Sequence, residues 1–241
     1  MEGVYRFADL NVAIRTHCRR LHDMCRDYRA SGLPDIVISL TGADVERERA
    51  KAAVTARREG RFAAEYPYDY LETLAAYRAL AEELPGHDGF LIHGSAVAAD
   101  GEAYVFIAPS GTGKSTHARL WLEMLGSRAV MINDDKPLLR FMPSGPRVYG
   151  TPWDGKEHLS ANMSAPLKAV CVLTRAKENT IRPLSPHEAL AYLLRQIYRP
   201  AGKEAAEQTL TLIDRLDAGL YMLGCNMESE AARAAYEGMK G

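Results

Sequence analysis

Four cysteines in 241 residues form no C-x-x-C pair, and the positions Cys18, Cys25, Cys171 and Cys225 match no zinc-ligand spacing. A disulfide framework is not expected, and the pattern predicts reduced thiols in a cytoplasmic protein. Nowhere do about 18 apolar residues run uninterrupted, so no transmembrane helix is predicted. The opening stretch "MEGVYRFADLNVAIRTH" lacks an apolar h-region, which predicts no signal peptide. No sign of charge dominates: 30 Lys and Arg face 31 Asp and Glu, a net charge of −1. Neither nucleic acid nor a membrane is therefore an expected partner. Internal repeats and low-complexity linkers are also lacking. What is present is ordinary for a globular protein, with 47% hydrophobic and 25% charged residues. The length fits one large domain. We expect a single domain over 1–241, with a strand/helix portion at 1–89 and the main core at 90–241.

Hydrophobic spacing sets the expected elements. "YRFADLNVAI" reads as a strand or two short strands. Ile14, Cys18, Leu21, Cys25 and Tyr28 recur at helical spacing and predict an amphipathic helix with an arginine-rich outer face. "DIVISL" predicts a strand, and "ADVERERAKAAVTARREG" and "YDYLETLAAYRALAEELPG" predict helices. Further on, "LIHGSAVAA" and "EAYVFIA" are strand-like runs joined by Asp100-Gly101, a strong two-residue hairpin signal. "STHARLWLEML" predicts a helix, and "AVMIN" and "APLKAVCVL" predict strands. "SPHEALAYLLRQIY" opens with Ser185 as N-cap, Pro186 at N1 and Glu188 at N3, a capping box. Helix, strand and helix follow in "EAAEQTLTLIDRL", "GLYMLGC" and "ESEAARAAYEGM". The alternation predicts an α/β class.

One stretch carries chemistry. Ala108-Pro109-Ser110-Gly111-Thr112-Gly113-Lys114-Ser115 follows a strand and opens a helix, in the manner of G-x-x-x-x-G-K-[ST] with alanine at the first position. Gly111 and Gly113 let backbone N–H groups turn inward as an anion nest. Lys114 supplies a point charge for β/γ-phosphates, Ser115 a hydroxyl for Mg²⁺, and the helix N-terminus its positive dipole end. A plain strand-to-helix turn would explain the glycines but not the Lys-Ser pair. Ala108 asks only for a position without positive φ.

Asp134 and Asp135 follow the next strand. A β-α-β unit makes strands 103–107 and 129–133 parallel, so both carboxyl ends face one crevice. One carboxylate suits Mg²⁺ and the other suits proton acceptance from a hydroxyl. The hairpin brings in His93: a two-residue turn pairs residues whose numbers sum to 201, which sets His93 opposite Ala108. His117, one turn into the helix, reads as a solvated residue.

Together, "LIHGSAV", "FIAPSGTGKST" and "INDD" resemble the catalytic domain of HPr kinase/phosphorylase, which is similar in turn to the nucleotide-binding part of phosphoenolpyruvate carboxykinase. The resemblance covers roughly residues 90–140. It implies a mixed β-sheet core and ATP- and Mg²⁺-dependent phosphorylation of a serine hydroxyl. It implies phosphate cradling by Ser110, Gly111, Thr112, Gly113, Lys114, Ser115 and Thr116, metal binding at Ser115 and Asp134, base work by Asp135, and His93 beside the transferred phosphate. The two aspartates are interchangeable in role at this level. A homo-oligomer is a further implication. The L-E-x-R-G-x-G signature and the N-terminal regulatory domain of HPr kinase are not found. The chain thus looks more like stand-alone HPr-kinase-like proteins, some of which phosphorylate a peptide serine. The expected acceptor is a serine-containing peptide or protein, or a small hydroxy compound. In "TPWDGKEHLS", Glu157 is a candidate metal-facing carboxylate and Lys156 a candidate phosphate contact. Arg199 and Arg175 are candidate clamps for phosphate or a substrate carboxylate. Trp153 sits between packing and recognition. Two other readings stay open: a carboxykinase-like decarboxylating enzyme, and a non-catalytic nucleotide-sensing interaction protein.

Overall fold

The computed structural model describes residues 1–58, 60, 62, 64–155 and 157–240. They divide into two compact units, Met1–Glu83 and Leu84–Gly241.

In the first unit, β1 (Glu2–Phe7) and β2 (Leu10–Arg15) pair antiparallel. Ala8 and Asp9 turn the chain with φ of 50° and 59°, as a type I′ turn requires. β3 (Ile36–Ser39) joins β2 in parallel. The helices are α1 (Arg20–Met24), α2 (Gly42–Arg58) and α3 (Tyr68–Glu83). The helix expected over 14–28 is mostly something else. Ile14 lies in β2, α1 has five residues, and Arg26–Tyr28 form a 3-10 turn. The cause is Glu72, whose carboxylate accepts the backbone N–H of His17 at 2.6 Å and of Cys18 at 2.9 Å. Donors held by a side chain from α3 leave that segment outside the helical ladder.

The second unit holds β4 (Gly89–Leu91), β5 (Ser95–Ala99), β6 (Glu102–Ile107), α4 (Lys114–Leu125), β7 (Ala129–Asn133), β8 (Leu138–Met142), β9 (Gly145–Tyr149), β10 (Ser164–Arg175), β11 (Thr180–Pro183), α5 (Pro186–Gln196), α6 (Lys203–Asp214), β12 (Gly219–Cys225) and α7 (Ser229–Met239). Among the described residues they build a nine-stranded mixed sheet in the order β4-β8-β9-β10-β6-β5-β7, with β12 on β10 and β11 on β12. The class is α/β with a mixed sheet. Alternation along the strands feeds two cores. Ala96, Ala98, Val105 and Ile107 pack with Leu193 of α5 and Leu212 of α6. Val97, Ala99, Tyr104 and Phe106 pack with Trp121 of α4 and Ala235 of α7. Helices therefore cover both faces. The capping box of α5 forms as its sequence predicts. No helix among the described residues is long and apolar enough to cross a membrane.

Asp100 and Gly101 turn the β5–β6 hairpin with φ of 51° and 86°. Its register runs from Ala99↔Glu102 to Ser95↔Phe106. The turn is clamped by the Arg128 guanidinium, whose Nε and Nη2 donate to the Asp100 carboxylate at 2.9 and 2.7 Å, and by the Tyr236 hydroxyl at 2.5 Å. β5 lies between β6 and β7 and is antiparallel to both. β6 and β7 are thus parallel to each other without touching, and the start of β5 opens between their carboxyl ends.

Candidate functional site

The end of β6 leads through Ala108 and Pro109 into the glycine loop. Gly111 and Gly113 have φ of 77° and 118°, a region that only glycine enters without strain. Gly113 also caps α4. Ala108 is not among the positive-φ residues, and its methyl is buried in the core beneath α4, so alanine serves there. Its carbonyl accepts a hydrogen bond from Lys114 Nζ at 2.9 Å. Lys114 is only 8% exposed. Burial pulls its ammonium below the usual lysine range, and the Asp135 carboxylate partly restores it. Ser110, Gly111 and Ser115 are exposed around it, with Thr112 and Thr116 half-buried.

β7 delivers the carboxylates. Asn133, fully buried, shapes the turn: its Oδ1 accepts the backbone N–H of Asp135 at 2.8 Å and of Lys136 at 2.6 Å. Its amide donates to Thr151 carbonyl and hydroxyl oxygens, each at 3.0 Å. This Asx turn points the two aspartates to different surroundings. Asp134 is 6% exposed, and its Oδ1 accepts the Gly155 N–H at 2.5 Å. A Cβ on Gly155 would overlap that carboxylate, so glycine is required for the approach. Burial pushes the Asp134 carboxyl up, and Asp154 and Asp135 add to the rise. Asp135 goes the other way. Burial would raise it, but the hydrogen bond from His93 and the charge of Lys136 outweigh that and hold it below the usual carboxylate range. Its Oδ1 lies 3.3 Å from His93 Nε2 and 2.9 Å from Lys136 Nζ.

His93 arrives by a different route from the one its register predicts. The ladder stops at Ser95↔Phe106 and does not extend to His93 and Ala108. The chain leaves β6 because the His93 N–H bonds the Gln196 carbonyl at 2.7 Å and Ile92 bridges Ile197. The Gly94 N–H then bonds the Asp135 carbonyl at 3.2 Å, and Ser95 Oγ bonds the Asp134 carbonyl at 3.2 Å. Those two bonds deliver the imidazole to Asp135.

The structure therefore brings Lys114, His93, Asp135 and Lys136 together, with Asp134 beside them. Arg175 reaches the loop, its Nη2 donating to the Gly111 carbonyl at 2.5 Å. Glu157 does not join Asp134: it is exposed and pairs with Arg119 of α4 at 2.6 Å. Arg199 is exposed and lies two residues beyond Ile197, which bridges Ile92. Trp153 is buried and packs. Lys156 lies outside the described residues. His117 is not solvated. It is 3% exposed, lies edge-on to Phe106 and accepts the Trp121 indole N–H at Nε2, 3.2 Å. Sequence reasoning passed over Asn133 and Lys136, and it placed Gly155 in a substrate-facing loop without a role of its own. The signal for the first two was the string N-D-D-K, an Asx turn written in plain residues.

Among the described residues, no cluster of three or more His, Cys, Asp or Glu side chains could hold a metal by itself. Asp134 and Ser115 suit Mg²⁺ in another way, because that ion commonly takes one or two protein oxygens and fills its shell with phosphate and water. Asp134 is a buried carboxylate answered by backbone N–H groups, Gly155 and its own, with no cationic partner among the described residues.

Residues 70–205 match the family described as SynChlorMet cassette protein ScmC. No curated protein matches the sequence. Among solved structures, the chain is similar to the HPr(Ser) kinase/phosphatase from Coxiella burnetii, with 9% identity and a TM-score of 0.34, over 63% of this chain and 99% of that one.

Proposed function

The chain belongs to the SynChlorMet cassette protein ScmC family, and on that premise we propose that it is an ATP- and Mg²⁺-dependent kinase that phosphorylates a hydroxyl, most simply a serine of a peptide or protein. The observation that carries this reading is the convergence of Lys114, His93 and Asp135 at one end of the sheet, where the glycine loop and the Asp-Asp turn meet. A loop with two left-handed glycines ahead of Lys114 supports phosphate binding through its backbone N–H groups. Mg²⁺, when bound, would offset the negative charge of the phosphates. Ser115 and Asp134 are the residues that would hold it.

Asp135 then accepts the proton of the acceptor hydroxyl as its oxygen attacks the γ-phosphorus. The bond to the β,γ-bridging oxygen breaks and ADP leaves. His93 and Lys136 keep Asp135 ionised and aimed. A carboxylate of low basicity suits a step in which the proton moves late. Lys114 stands over the phosphate that gains charge. Membership of a cassette family favours an acceptor encoded beside this chain, and peptides from the same cluster are the first candidates.

The test is incubation with ATP, Mg²⁺ and those peptides, read by mass for an added phosphate. Asp135→Asn should cut transfer by about a thousandfold or more while ATP still binds. ATP binding without transfer to any hydroxyl in a broad panel would favour the nucleotide-sensing reading. Turnover of oxaloacetate with ATP would favour the carboxykinase-like one.

A further inference from the structure

A cleft of about 380 Å³ opens on the other flank of the glycine loop from His93 and Asp135. Thr112, Gly113 and Thr116 form its near wall, Leu120 and Leu173 its apolar side, and Asn226 its rim. It lies where β10 and β12 end, two strands parallel in series with β6, which is the usual ligand-binding edge of such sheets. Its size is within the range of small-molecule sites.

His117 lines this cleft, and its Nδ1 has no hydrogen-bond partner. The other ring nitrogen accepts the Trp121 indole N–H. Trp Nε1–H can only donate, so Nε2 is the unprotonated nitrogen and the proton of the neutral ring sits on Nδ1. The result is a buried N–H donor with no acceptor, an arrangement that folded proteins rarely leave unused.

We propose that this cleft takes the nucleoside of the bound nucleotide, with the base against Leu120 and Leu173 and His117 Nδ1–H donating to a ring nitrogen or carbonyl of the base. The inference rests on the kinase reading, because phosphates on the glycine loop are what bring a nucleoside to this cleft. It adds a residue that distinguishes a nucleotide from a bare polyphosphate chain.

The experiment compares ATP with inorganic tripolyphosphate, each with Mg²⁺, by calorimetry. His117→Gln is the informative variant. Its amide oxygen can take the place of Nε2 and keep the Trp121 bond, while its NH2 sits at the far end of the side chain and leaves the Nδ1 position without a donor. ATP should bind the wild type more tightly than tripolyphosphate does, and H117Q should weaken ATP about tenfold while leaving tripolyphosphate unchanged. Equal binding of the two ligands, or an equal loss of both in H117Q, would overturn the nucleoside cleft and leave the phosphate loop standing. Binding of neither would remove the kinase reading with it. Met227 is exposed on the cleft, so Met227→Trp gives a reporter that does not depend on H117Q folding. Its emission should respond to ATP and not to tripolyphosphate. A silent reporter in the presence of bound ATP overturns the proposal.

Discussion

Each unit buries a carboxylate that accepts backbone N–H groups, and the two are finished differently. Glu72 of the first unit spends both oxygens, one on His17 and one on Cys18. Asp134 of the second takes the N–H of Gly155 and of its own residue, and Asp154 and Asp135 lie close enough to raise its carboxyl further. Glu72 is a fastening: every lone pair that matters is answered by the chain. Asp134 is a buried charge with two like charges beside it and no cation from the described residues. Burying such a charge is costly unless a partner arrives. The degree of satisfaction, more than burial as such, separates a structural carboxylate from a candidate site.

The comparison breaks most easily at Glu72. Glu72→Ala leaves two backbone donors without an acceptor and should lower unfolding free energy by about 4 kcal/mol in urea denaturation, with ATP affinity unchanged. If stability hardly moves, the fastening role is lost. His117, another half-answered group, gives a smaller effect that depends on pH. Its folded-state pKa, about 4, lies below the ordinary histidine value of 6.5. The unfolded chain therefore binds the proton first as pH falls, and stability drops between roughly pH 6.5 and 4, by about 3 kcal/mol in all. H117Q should flatten that part of the pH–stability curve, and an unchanged slope would count against a buried neutral ring. Asp134 gives the smallest change and the opposite sign. Its carboxyl is raised, so the ionised form costs stability at pH above that raised value. Asp134→Asn should stabilise the protein by about 1 kcal/mol and abolish the rise in melting temperature that Mg²⁺ with ATP gives the wild type. Thermal melts with and without Mg²⁺ would show it.

Local chemistry was the legible part of the sequence. Asp100-Gly101 dictated its turn and the register of β5 on β6, Ser185 and Glu188 their cap, and Gly111 and Gly113 the left-handed backbone before Lys114. Long-range competition was the hidden part. The 14–28 periodicity did not reveal that Glu72, more than fifty residues on, would claim the N–H groups of His17 and Cys18. The run "LIHGSAVAA" did not reveal that Gln196 and Ile197 would draw Ile92 and His93 away from β6. Glu157 had the right chemistry for a metal and the wrong neighbour, because Arg119 faces it. His117 sits on the helix face turned to the sheet, edge-on to Phe106 and bonded by Trp121.

The placement of β5 between β6 and β7 gives the far turn an influence out of proportion to its distance. His93 precedes β5, the glycine loop follows β6, and Asp134 and Asp135 follow β7, so all three are indexed by one strand. A one-residue insertion at Asp100-Gly101 would leave every one of those residues in place in the sequence. It would slip β5 against β6 and turn its side chains to the opposite core. The turn therefore works as a gauge block: it touches no ligand, yet its length fixes the register of β5 between β6 and β7, and Arg128 and Tyr236 lock that length in place.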